Sequence, residues 1–142
     1  MTGISSLLEP RSIAVVGASP RNAAAVETVV ASGVRAWGVN PNRDEVAGLP
    51  CYTSVAELPE VPECAFLMVN HERVESAFEE AAAAGVRAFV VPGVGAEAGA
   101  ASRPTTERLA QRARDLGAAM LGPNCMGYYL YATVRSQRRL GG

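Results

Sequence analysis

The sequence predicts a three-layer α/β domain built on a doubly wound parallel sheet. Short β-branched apolar runs alternate with longer helix-like stretches along the chain. Those runs are continuous rather than alternating, the pattern of strands buried on both faces. Three helical stretches stop at Gly33, Gly85 and Gly117, where glycine closes a helix at little conformational cost. Strand–helix–strand units of this length cross over right-handedly within one sheet, and the strand order 3-2-1-4-5 is expected. At 142 residues the chain is sized for a single domain with one sizeable core.

Taken in order, Ser12 to Val16 is the first strand, ending at Gly17. Asn22 to Ser32, rich in alanine, is the first helix. Arg35 to Val39 is the second strand, broken off by Asn40-Pro41. A turn-rich segment follows, with a short helical turn near Ser54 to Leu58. Cys64 to Val69 is the third strand, and Glu72 to Ala84 carries the strongest helical pattern in the chain. Arg87 to Val91 is the fourth strand, stopped by Pro92-Gly93. Arg103 to Leu116 is another helix, and Ala118 to Leu121 is the fifth strand, closed by Gly122-Pro123-Asn124. Gly127 to Ala132 is compatible with a sixth strand. Residues 1–127 are therefore expected to form the domain, with 128–142 a C-terminal strand or tail.

Composition narrows the function classes. The formal net charge is -1, which argues against nucleic acid or an anionic membrane as the main partner while leaving room for a local anion site. All 13 basic residues are arginine, so lysine chemistry such as a Schiff base is excluded. The N-terminus lacks the basic start and long apolar run of a secretory signal, and no stretch approaches a membrane span. Cys51, Cys64 and Cys125 fit neither a disulfide framework nor a zinc site. A reducing, cytoplasmic setting is expected, with no metal site and no catalytic residue in this chain.

Ligands of an open parallel sheet bind beyond the carboxyl ends of its strands, near the point where strand order reverses. The first such loop runs from Gly17 through Ala18, Ser19, Pro20 and Arg21 to Asn22. A glycine there permits a sharp turn, and the following helix N-terminus offers N–H groups to an anion. Of the G-x-G-x-x-G dinucleotide fingerprint only Gly17 is present; Ser19 and Asn22 take the other two places. A phosphate-binding turn without the standard NAD geometry fits, and a plain strand-to-helix turn is the simpler alternative.

The second loop, Asn40-Pro41-Asn42-Arg43, has no carboxylate at the strand end where NAD-binding domains place one for the ribose hydroxyls. Arg43 instead suits a ribose phosphate, since its planar fork holds two phosphate oxygens. The 3′-phosphate of coenzyme A and the 2′-phosphate of NADP both meet that demand; a solvated surface arginine is the alternative. Asn70 and His71 lie in the third loop, after Val69, and the histidine, lacking a visible partner, reads as a cap or surface residue. Gly93 and Gly95, in the glycine-rich loop after the fourth strand, would let a ligand approach the backbone. Asn124 lies in the turn after the fifth strand, next to Cys125, which has no histidine base at hand.

Residues Leu8 to Ser19, Val39 to Tyr52 and Leu121 to Gly127 together resemble, in the right order, the NDP-forming acyl-CoA synthetases, relatives of the succinyl-CoA synthetase α subunit. The resemblance covers residues 8–127 and implies a Rossmann-like domain that binds coenzyme A. It implies that Gly17, Ala18 and Ser19 face the CoA phosphates and that Asn40, Pro41 and Arg43 lie beside the adenosine end. It further implies that Val69 flanks the adenine and that Gly93 to Gly95 lie near the pantetheine arm. Two departures are visible: the first loop lacks an extra glycine, and Asn70 stands where members often carry proline. The family's phosphohistidine belongs to a following domain, and His71 does not match it. The chain alone is thus expected to bind CoA or acyl-CoA without making acyl-CoA, with further synthetase domains or subunits, or further copies of itself, as partners. A stand-alone CoA-binding regulator and an NADP-dependent oxidoreductase or redox sensor are the competing readings.

Overall fold

Ser12–Val16 (β1) is buried at every position, as a strand covered on both faces must be, and it forms the middle of the sheet. The computed structural model describes residues 7, 9–70, 72–91 and 103–121. After β1 come a single 3-10 turn at Pro20–Asn22 and the helix Ala23–Ala31 (α1). Arg35–Val39 (β2) follows, then Glu45–Val46 (β3), Leu49–Tyr52 (β4) and a 3-10 turn at Val55–Glu57. The chain continues through Cys64–Leu67 (β5), Val74–Ala84 (α2), Ala88–Val90 (β6), Arg103–Leu116 (α3) and Ala119–Leu121 (β7).

The seven strands lie in the order β3-β4-β2-β1-β5-β6-β7, all neighbours parallel except the β3–β4 hairpin. Side chains alternate between two apolar layers. Ala14, Val16, Val39, Leu67 and Phe89 meet Val74, Phe78 and Ala81 of α2 and Leu109 and Ala113 of α3. Ile13, Val15, Phe66 and Val90 meet Val26 and Val29 of α1 and Val46 and Leu49 of the hairpin. Each such fully buried aliphatic side chain contributes roughly 1.5–3 kcal/mol. In α2 the buried residues fall at i, i+4, i+7 and i+8, and Gly85 (φ 111) ends the helix by donating its N–H to Ala82 O, 3.1 Å away.

The class expected from the sequence is the one found, with one correction to the strands. Leu49–Tyr52, expected as part of a turn-rich segment, is a strand: it pairs with β2 through Gly38↔Cys51 and Val39↔Tyr52. It takes the place beside β2 that the order 3-2-1-4-5 assigns to the third strand. Cys64–Leu67, numbered third from the sequence, pairs instead with β1 on its other side. Counting Leu49–Tyr52 as third restores the order and makes Cys64–Leu67 the fourth. The short helical turn expected near Ser54 to Leu58 is the 3-10 turn at Val55–Glu57. The expected strand or tail over 128–142 lies outside the described residues. Among the described residues no helix is long and apolar enough to cross a membrane.

The amino end of the sheet is fastened by charge. The Glu63 carboxylate accepts from the Arg11 backbone N–H and from Arg11 Nε, each at 2.8 Å, while the Glu63 N–H donates to the buried Ser12 Oγ at 3.0 Å. Burial acts to raise the Glu63 pKa, but the two Arg11 hydrogen bonds and the guanidinium charge outweigh it and hold the carboxyl below its ordinary value. A depressed carboxyl stabilises the fold fully above its unfolded pKa of about 4.3, and that contribution is lost as pH falls through the folded value. Glu63→Gln should therefore lower the urea midpoint at pH 7, and by progressively less as the pH is taken from 7 down to 3. A midpoint difference that stays constant over that range would show that the charge is irrelevant.

Candidate functional site

The β1 end is where the strand order reverses, with β2 on one side and β5 on the other, and it is fixed by backbone bonds to both. The Gly17 N–H donates to Val39 O at 2.9 Å, and the Met68 N–H donates to Val16 O at 2.8 Å. Gly17 adopts φ 87, a left-handed value, and a Cβ placed on it would lie 2.5 Å from Met68 O and 2.8 Å from Val69 Cγ1. Two constraints thus select glycine: the turn and the close approach of the β5 end. Val69 is half-buried, one branch of its side chain closing over Gly17, and Ala18 is fully buried beneath the loop.

Two asparagines hold the loop in shape. Asn22 accepts from the Ser19 N–H through Oδ1 at 2.9 Å and donates from Nδ2 to Gly17 O at 3.0 Å, while its own N–H donates to Ser19 O at 3.1 Å. This is a capping-box-like reciprocal closure in which asparagine stands where Glu or Gln is usual. Asn40 donates from Nδ2 to Ala18 O at 2.8 Å, and its Oδ1 accepts from the Asn42 N–H at 2.8 Å. The Asn40 N–H meanwhile donates to Tyr52 O at 2.9 Å. The first loop is therefore tied to the second, and the second to the end of β4.

Around this frame stand the charged side chains. Arg21, in the 3-10 turn, and Arg43, four residues beyond β2, are exposed and form no ion pair among the described residues. Pro41 is exposed beside Asn40. Cys51, half-buried beside Gly38, has its thiol pKa pushed up by burial and by the nearby charges of Glu45 and Asp44, with a backbone hydrogen bond at Val46 opposing them. Asn70, after β5, spends its Oδ1 and its carbonyl oxygen on the Arg73 N–H, and its carbonyl accepts from Val74 as well, so it caps α2.

Of the residues singled out in the sequence, Gly17, Ala18, Ser19, Arg21, Asn40, Pro41, Arg43, Val69 and Asn70 all fall in loops at the carboxyl ends of three adjacent strands, β1, β2 and β5. Gly93, Gly95 and Asn124, like His71 and Cys125, lie outside the described residues. Asn22 was the gap in the glycine fingerprint; its closure of the loop is signalled only by the spacing Ser19-x-x-Asn22. Tyr52 enters the frame through its backbone oxygen, which no sequence motif announces. The donor set, two unpaired guanidinium groups beside a rigid glycine turn, fits phosphate groups.

Comparison with known proteins adds the following. Residues 11–131 match a family model described as a CoA binding domain. The chain is 38% identical over 131 residues to a trans-feruloyl-CoA synthase of an unidentified prokaryote, an alignment covering 87% of this chain and 18% of that protein. It is 35% identical over 127 residues to the ADP-forming acetate–CoA ligase I of Archaeoglobus fulgidus, covering 85% of this chain and 18% of the ligase. The solved dinucleotide-forming acetyl-coenzyme A synthetase 1 of Ca. Korarchaeum cryptofilum, in complex with phosphate and ADP, has the same fold at TM-score 0.75. Its identity is 31%, over 87% of this chain and 28% of that one. The chain thus spans under a fifth of the length of these curated relatives.

Proposed function

The chain belongs to the CoA binding domain family, and from that premise we propose that it holds coenzyme A, free or as acyl-CoA, across the carboxyl edge of its sheet within an NDP-forming acyl-CoA synthetase. The observation that carries the site assignment is the pairing of the Gly17–Ser19 turn with Arg21 and Arg43, two arginines without carboxylate partners among the described residues. Gly17, Ala18 and Ser19 set the path of the pyrophosphate, and Arg21 neutralises it. Arg43 takes the ribose 3′-phosphate beside Asn40 and Pro41. Val69 and Asn70 border the adenine. By the family resemblance Gly93, Gly95 and Asn124, outside the described residues, are assigned to the same ligand, the two glycines near its pantetheine arm. The described residues of this arrangement bind and orient the ligand, and acyl and phosphoryl transfer are assigned to other parts of the synthetase.

The test is a calorimetric titration of the 142-residue chain with CoA, dephospho-CoA and NADP. CoA should bind most tightly. Arg43→Ala should weaken CoA by about 1–3 kcal/mol and dephospho-CoA far less, because only CoA presents the 3′-phosphate. Equal losses for both ligands would remove Arg43 from that role. Binding of NADP without CoA would overturn the reading in favour of an oxidoreductase or redox sensor.

A further inference from the structure

The described arginine side chains fall into two sets. Arg11, Arg35, Arg108 and Arg112 are paired with Glu63, Glu60, Glu75 and Glu79. Arg87 donates to Ala82 O and Val86 O, and Arg114 to the Gln111 side chain. Arg21, Arg43 and Arg73 alone have no ion pair and no side-chain hydrogen bond among the described residues. All three stand in loops at the carboxyl edge, after β1, β2 and β5. Those strands are consecutive in the sheet and spaced by about 4.8 Å, so the three loops that carry these arginines leave neighbouring places on one edge.

Arg73 is the unexpected member. It occupies the N-cap of α2, the positive end of the helix dipole, where a cation is disfavoured and an anion is welcomed. The acid in the first turn, Glu75, does not relieve it, because both its oxygens are held by Arg108 at 2.6–3.1 Å. Glu72 precedes it in the chain and forms no ion pair among the described residues. Asp44 and Glu45, next to Arg43 in the chain, are exposed and form no ion pair among the described residues. A free arginine on a helix N-terminus repels that terminus and is stabilised when an anion lies against both.

We infer that Arg73 is a phosphate contact of the CoA site, engaging the pyrophosphate from the β5 side while Arg43, two strands away, holds the 3′-phosphate. The assignment rests on the CoA reading above. CoA carries three phosphates on its adenosine end, and the edge offers three guanidinium groups that have no ion pair among the described residues to match them. The pyrophosphate is common to CoA and dephospho-CoA, whereas the 3′-phosphate is not, so the two arginines are separable by ligand.

Arg73→Ala in the full chain should weaken CoA and dephospho-CoA alike, each about tenfold or more, leaving their ratio as in the unaltered protein. Arg43→Ala should change the ratio instead. The thermal midpoint of the Arg73→Ala protein should not fall, since the side chain has no ion pair or hydrogen bond to lose among the described residues, and Arg73→Lys should recover part of the affinity. Arg114→Ala, on α3, is the control for a general loss of positive charge. Unchanged affinity in Arg73→Ala, or a loss matched by Arg114→Ala, overturns the assignment while the CoA reading stands. If the unaltered chain binds neither ligand, the CoA reading falls and takes the assignment with it.

Discussion

Replacing Gly17 with alanine should destabilise the chain by about 2–4 kcal/mol and abolish CoA binding at concentrations that saturate the unaltered protein. The new methyl group would sit 2.5 Å from Met68 O, a backbone atom that cannot rotate away, and 2.8 Å from Val69 Cγ1. Relief would require the ends of β1 and β5 to part, which breaks the Met68 N–H bond to Val16 O. The left-handed φ adds a conformational cost of roughly 1–2 kcal/mol for any residue with a Cβ. Gly48→Ala separates the two contributions. Gly48 has nearly the same φ, 85, but nothing within 4 Å of its added Cβ, so it should show the conformational cost alone. Urea midpoints of the two variants, at unchanged m, read the difference. If Gly17→Ala loses no more than Gly48→Ala, the junction with β5 is looser than these distances say, and the turn does not owe its shape to it.

That junction illustrates what a sequence reveals and what it hides. Strands and helices of the parallel core were legible because burial on both faces writes continuous apolar runs into β1, β5 and β6, and because Gly33, Gly85 and Gly117 mark helix ends. The β3–β4 hairpin was not. Its turn places both Ala47 (φ 48) and Gly48 (φ 85) in the left-handed region, as a type I′ turn requires, but alanine is a poor advertisement for that conformation where asparagine is usual. Pro50 argues against a strand as well, since it cannot donate to a ladder. It is tolerated because it precedes the residues Cys51 and Tyr52 that pair with β2. Missing this one strand displaced the expected neighbour of β2.

The site divides the same way. That Gly17, Asn40 and Arg43 stand at one edge of the sheet was legible because a strand-end glycine and a loop without a carboxylate each carry chemical meaning at a fixed place in this topology. The part played by Asn22 was hidden, because its two bonds reach back to Ser19 and Gly17 and only three-dimensional closure reveals them. Arg73 was hidden for another reason. An arginine in a charged sequence gains significance only when the other arginines are seen to have partners and it does not.

Phe89→Ala should cost about 3–5 kcal/mol, the largest effect expected of any single substitution outside the binding edge. Phe89 is completely buried in β6, and its ring centroid lies 4.3 Å from that of Phe78 on α2, at a tilt of 38°. Truncation leaves a ring-sized void between sheet and helix and removes an aromatic contact worth about 0.5–1.5 kcal/mol beyond its area. A domain of this size has only about 5–15 kcal/mol of stability in total, so the variant should remain folded but with a much lower urea midpoint. Phe78→Ala should cost a similar amount, and the double variant less than the sum, because the second truncation enlarges an existing cavity and loses no second ring contact. Phe89 pairs in register with Ala65, in the body of the sheet rather than at its carboxyl edge. The folded fraction of Phe89→Ala should therefore bind CoA with nearly unaltered affinity, the opposite pattern to Arg73→Ala, which should weaken binding at full stability. A Phe89→Ala protein that loses CoA affinity in proportion to stability would mean that the edge is shaped by the packing beneath α2, and not only by the bonds joining Gly17, Asn22 and Asn40.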